Sequence, residues 1–199
     1  MSPATEAAGG FRHFHDQLAG LKSQLLLMSE KAEALVGLSV EALLATDEAK
    51  AEAVIKGDRE IDLLELDVEE RAVHLLALQQ PMARDLRFLV SAIKVSSDLE
   101  RVGDHAVNIA QCAQRLAALR ANITPTPEIE DMARRSRKML ADALDAFVRA
   151  DGRLGRDVCR ADDQVDSLHN SVFRILLTHM LADPRTINAS PNPCVKRAT

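Results

Sequence analysis

The chain has 199 residues, 47% of them hydrophobic and 28% charged, and its formal net charge is −5. That apolar fraction excludes a wholly disordered chain, and the acidic balance excludes a basic nucleic-acid binder. Trp and Tyr are absent and Phe occurs five times, which also excludes single-strand recognition by base stacking. The cysteines Cys112, Cys159 and Cys194 are widely spaced and form no CxxC pair. They support neither a zinc ribbon nor a disulfide framework and point to a reducing, cytoplasmic setting. The opening MSPATEAAGG has no basic region before an apolar run and does not read as a signal peptide. The longest apolar stretches, such as 88–93, are too short to insert across a bilayer.

Apolar residues at Phe14, Leu18, Leu21, Leu25, Met28, Ala32 and Leu35 keep four-three spacing and predict an amphipathic helix over 11–45. Thr46 and Asp47 offer capping groups for the next helix. Its apolar line is Ile61, Leu64, Val68, Ala72, Leu75 and Leu78, and it must end before Pro81. A third helix follows on Leu86, Leu89, Ile93, Val102, Ala106, Ile109, Ala113 and Leu116. Rods of roughly 35 residues are about 50 Å long, and on short connections they predict an antiparallel bundle. The stretch ANITPTP over 121–127 is a linker by its Pro and Thr content.

The pattern then restarts at a shift of 104 residues. Leu25, Met28, Leu35, Val36 and Leu43 fall on Ile129, Met132, Met139, Leu140 and Phe147, while Asp58 and Asp62 fall on Asp162 and Asp166. Any two amphipathic helices align at some shift; the coincidence of two carboxylates with the apolar set argues for internal duplication. The expected fold is all-α, with tandem three-helix-bundle repeats, the second lacking its third helix. The expected units are a first repeat over 11–120, an incomplete two-helix repeat over 127–187, and an irregular tail over 188–199. Two helices cannot close a bundle alone, so their stripe must meet the first unit, a second copy or a partner.

The chemistry rests on carboxylate pairs at i, i+4, which share one helix face. Asp58 and Asp62 form one pair, with Glu65 and Glu69 continuing the stripe; Glu100 and Asp104 form the second, and Asp162 and Asp166 the third, with His169 one turn on. Like charges so placed repel, and a hard cation bridging two such faces would relieve them. The competing reading is that acidic pairs are solvated helix faces. Gly103, mid-helix between Glu100 and Asp104, points to a close approach by a backbone or ligand. His105 is a possible ligand or second-layer donor, though a lone His beside an apolar seam is more often structural. Cys112 falls on the apolar side and reads as core. Arg84, Arg87 and Arg101 could bind phosphate or an acidic partner, but pairing with nearby surface acids is the preferred reading. No E-x-x-H, G-x-S-x-G, GxGxxG or P-loop motif occurs, so di-iron chemistry of the bundle type, nucleophilic catalysis and a Gly-rich phosphate loop find no support.

The segment QPMARDLRFLVSAIKVSSDLERVGDHAVNIAQ over 80–111 closely resembles the PhoU family of phosphate-transport regulatory proteins, and VIKGDREIDLLELDVEE over 54–70 resembles that family's preceding helix. The likeness covers roughly 11–187. It implies two tandem three-helix repeats and E(D)-x-x-x-D motifs that bind multinuclear iron or zinc clusters on the bundle surface. Asp58 and Asp62 fit one motif, Glu100 and Asp104 the next, Asp162 and Asp166 the third; the fourth has no counterpart. The resemblance further implies a cytoplasmic, often dimeric protein that is not an enzyme. In this role it is a negative regulator of the phosphate-starvation response and of phosphate uptake, an adaptor between the phosphate ABC transporter ATPase and a sensor histidine kinase. The alternative is a carboxylate-bridged metal-binding or metal-dependent hydrolytic helical protein. A purely structural module with solvated acids is the third reading.

Overall fold

The computed structural model describes residues 3–79, 81–119 and 127–182. Among these residues there are five helices and no strand: α1 (Pro3–Ala45), α2 (Glu48–Gln79), α3 (Ala83–Ala118), α4 (Pro127–Arg149) and α5 (Gly152–Ala182). The all-helical class expected from the periodicity is present, and α1 starts earlier than position 11. The tail expected over 188–199 and most of the 121–127 linker lie outside the described residues.

Helices α1, α2 and α3 each pack against the other two, α4 packs against α5, and α4 also lies on α1. The whole apolar line of α1, from Phe14 through Leu35, is buried. Ile61, Val68, Ala72 and Leu75 of α2 meet it. Two expected core positions are not core: Leu78 is 63% and Leu86 42% exposed. They flank the α2–α3 corner at Pro81–Met82, where one helix gives way to the next. On α3 the expected positions Leu89, Ala106, Ala113 and Leu116 are buried, and with them Ala92, Ser96, Leu99, Gly103, Ala110 and Cys112. Most of these added side chains are small, so a search for large apolar residues passes over them. Small residues let helix backbones approach closely, and here they bring α3 against α1 and α2.

The α1–α2 and α4–α5 turns are the same turn, 104 positions apart. Thr46 N–H donates to Leu43 C=O and Asp47 N–H to Ala42 C=O; Ala150 donates to Phe147 and Asp151 to Ala146. Thr46 takes φ 53° and Ala150 φ 55°. Asp47 Oδ1 then accepts the N–H groups of Ala49 and Lys50, as Asp151 Oδ1 accepts those of Arg153 and Leu154. Each aspartate thus satisfies two of the orphan donors that open a helix. Capping falls to Asp47, while Thr46 serves as the left-handed residue. Where α1 meets α4, Arg137 Nη2 donates to Glu33 Oε1 at 3.3 Å, a pair separated by the same 104 residues. The Arg137 guanidinium lies over Gly37, where an added Cβ would stand 2.9 Å from Nη1. Phe88 of α3 stacks on Phe147 of α4 at 5.3 Å between ring centres.

Cys112 is buried, as its place on the apolar side of α3 predicts, and Cys159 is exposed and free. Among the described residues no helix is long and apolar enough to cross a membrane.

Candidate metal centre

Two of the three carboxylate pairs come together on the α2–α3 face. The contact begins at Gly103, the buried glycine of the α3 stripe. A Cβ added there would collide with Asp58 Oδ1 and approach Ile61 Cδ1 at 3.2 Å. A close approach at Gly103 is present, but what approaches is a side chain of α2 and not the backbone or ligand expected. Only glycine leaves room for the Asp58 carboxylate to lie against α3 between Glu100 and Asp104.

Asp58 Oδ1 is out of contact with solvent and has no hydrogen-bond partner. Burial first, then the nearby charges of Asp62 and Asp104, push the Asp58 carboxyl up to about 6 from 3.8. Burial also raises Glu100, followed by the charges of Asp104, Glu65, Asp62 and Asp58. Five carboxylates on two helices thus share one field, and among the described residues no ion pair neutralises any of them. Both shifts run in the direction expected of like charges confined together with partial loss of water. Glu65 is the member that the pair motif misses. Its position seven residues after Asp58 on the same stripe was the signal for it.

The donor set is made of oxygens alone and suits a hard or borderline cation. An orphaned carboxylate oxygen and a glycine cradle fit such an ion. As placed, however, no group of three or more carboxylate, imidazole or thiol side chains among the described residues is close enough to enclose one. The side chains at the exposed positions Asp62 and Asp104 would have to rotate inward to complete a shell.

The third pair is not part of this field. Asp162 and Asp166 lie exposed on α5. Asp162 borders an apolar groove of about 350 Å³ lined by Val36, Val102, Leu140 and Val165. His105 is exposed, and Asp98 pairs with Arg101 at 3.3 Å. The expected surface pairing of the α3 arginines holds for Arg101. It does not hold for Arg84 or Arg87, which belong to none of the ion pairs among the described residues.

The PhoU domain model matches residues 25–113 and 129–190, which include all of α2, α3 up to residue 113 and all three acid pairs. The chain belongs to the PhoU family. It is 39% identical over 178 residues to a phosphate-specific transport system accessory protein PhoU homolog from Caulobacter vibrioides, spanning 89% of this chain and 77% of that protein. It is 39% identical to the Aquifex aeolicus homolog, over 86% of this chain and 77% of the relative. The crystal structure of PhoU from Pseudomonas aeruginosa superposes with a TM-score of 0.83 at 35% identity, covering 88% of this chain and 84% of that one. The phosphate transport system regulatory protein PhoU from Streptococcus pneumoniae gives 0.78 at 28% identity, over 85% and 80%. This PhoU-family chain therefore shares its helical architecture with both.

Proposed function

We propose that this PhoU-family chain acts in the phosphate-specific transport system as a negative regulator of phosphate uptake and of the phosphate-starvation response. In this reading it is a cytoplasmic adaptor and not a catalyst, contacting the transporter ATPase and a sensor histidine kinase and working as a homodimer. The observation that carries the reading is membership of a family whose members here are named transport accessory and regulatory proteins. Long rigid helices supply broad docking surfaces, and control follows when one partner's state binds more tightly than the other's. The test is capture of purified transporter ATPase and sensor kinase by the full chain. Saturable binding to both is the expected result; no binding to either at micromolar concentration would overturn it.

The metal assignment is part of the same proposal. Asp58, Asp62, Glu100 and Asp104, helped by Glu65, would hold an iron or zinc cluster, with Asp162 and Asp166 as ligands of a second. Such an ion would supply positive charge where the fields of five carboxylates overlap, making its role structural or regulatory. Asp58→Asn with Asp104→Asn should abolish stoichiometric iron or zinc in the purified protein. Equal metal content in wild type and variant would refute the first site, and metal unchanged in Asp162→Asn with Asp166→Asn would refute the second.

A further inference from the structure

The two arginines left without acids lead to a different place. Arg84 and Arg87 stand one turn apart at the start of α3, and both line a cleft of about 830 Å³ between α1, α3 and the α4–α5 turn. Lys22 of α1 lines it too, its ammonium 5.2 Å from the centre of the Phe88 ring. Among the described residues none of these three cations is in an ion pair, although the chain as a whole is acidic. The cleft holds two carboxylates, Asp85 and Asp151. Asp151 is committed as the cap of α5, where the N–H groups of Arg153 and Leu154 hold its carboxyl below the usual range. Asp85 sits in the first turn of α3, where a carboxylate faces the positive end of the helix.

Apart from His15 and Ser91 the remaining wall is apolar, with Leu18, Phe88, Ala146, Phe147 and Val148 its larger members. The volume lies within the usual range for small-molecule sites, about 300–1,000 Å³, which combine mostly apolar walls with a few placed polar groups. Guanidinium groups match phosphate in a planar, two-pronged fashion that a lysine or an isolated helix end does not offer. We propose that this cleft is a binding site for a small organic phosphate, with the phosphates held by Arg84, Arg87 and Lys22 and the organic body laid against Phe147 and Leu18. This site lies apart from the acidic patch and does not depend on the regulatory reading above.

Calorimetric titration of the full chain with ADP, in EDTA and at low salt, tests the proposal without a metal bridge to the carboxylates. ADP should bind saturably at one site per chain, and pyrophosphate about tenfold more weakly for want of an apolar body. Arg84→Ala with Arg87→Ala should weaken ADP binding by about tenfold or more, while the unfolding temperature stays near that of wild type because both side chains are exposed. Arg101→Ala, which removes a cation of α3 outside the cleft, should leave ADP affinity unchanged. No ADP binding at millimolar concentration would overturn the proposal. So would equal affinity for pyrophosphate and ADP, or an equal loss in Arg101→Ala, since either means diffuse charge attraction.

Discussion

The α1–α3 bundle and the α4–α5 pair begin from the same local instructions and end in different states of burial. Their turns match bond for bond. Yet Leu21, Leu25, Met28, Ile61 and Leu89 are almost wholly excluded from water in the first unit. In the second, among the described residues, the buried apolar side chains are Leu144, Ala146 and Val172. Val158, Val165 and Leu168 of α5 remain half-buried. Turn geometry is encoded within a few residues, whereas burial needs a third surface. The first pair of helices finds it in α3; among the described residues the second pair has one face of α1 and the Phe88 edge of α3. Stability in this chain is therefore expected to reside mainly in α1–α3.

The largest effect should come from Leu25→Ala, which empties a fully buried site at the centre of the bundle. A loss of about 2–5 kcal/mol in global stability is expected. Val165→Ala, at a half-buried site on α5, should cost well under half as much by the same denaturant titration. Equal losses would dissolve the contrast between the two units.

Gly103→Val comes next, because any Cβ there meets the Asp58 carboxylate and Ile61. Overpacking of this kind costs about 1–3 kcal/mol, and it should expel Asp58 from its seat. The variant should therefore lose metal content as well as stability. Retention of both would mean that the glycine is incidental.

The two caps give a matched pair. Asp47→Ala and Asp151→Ala each remove two side-chain hydrogen bonds at a helix start, worth about 1 kcal/mol. In Asp47→Ala the loss should appear in global unfolding. In Asp151→Ala it should appear as faster amide exchange confined to α4 and α5. Identical exchange patterns in the two variants would show that the units unfold together.

The gentlest effect is that of pH. The folded Asp58 carboxyl titrates near 6 against 3.8 when unperturbed, so between those values the folded state holds more proton than the unfolded one. Metal-free protein should then lose stability as pH rises from about 4 to about 6. Solvent screening keeps the change small, because Asp58 is only partly buried. Added zinc should cancel the loss, and Asp58→Asn should flatten the profile measured as unfolding temperature against pH. A profile unchanged in Asp58→Asn would remove that group as the cause.

Helix positions were readable because the four-three spacing of residues such as Phe14, Leu18, Leu21 and Leu25 is itself the condition for burying one face. The acid pairs on α2 and α3 were equally readable, since i, i+4 residues share a face whatever the tertiary arrangement. Leu78 and Leu86 misled for the opposite reason: periodicity says which side a residue takes but not whether anything covers that side at a corner. Glu65 was visible on the acidic stripe, but its place in the field of Glu100 depends on how α3 crosses α2. The free state of Arg84 and Arg87 was not readable, because acids near in sequence, such as Asp85, need not be near in geometry.

The amino-acid order by itself determined the helices and the Asp47 cap, because each is settled by interactions within a few residues of chain. Tertiary structure alone decided that Asp58 lies against Gly103 between the acids of α3. It also decided that three cations share one cleft with two phenylalanines. Both depend on the registry between separate rods, which small buried residues such as Ala106 and Ala110 set through close contact, and which no single helix can specify.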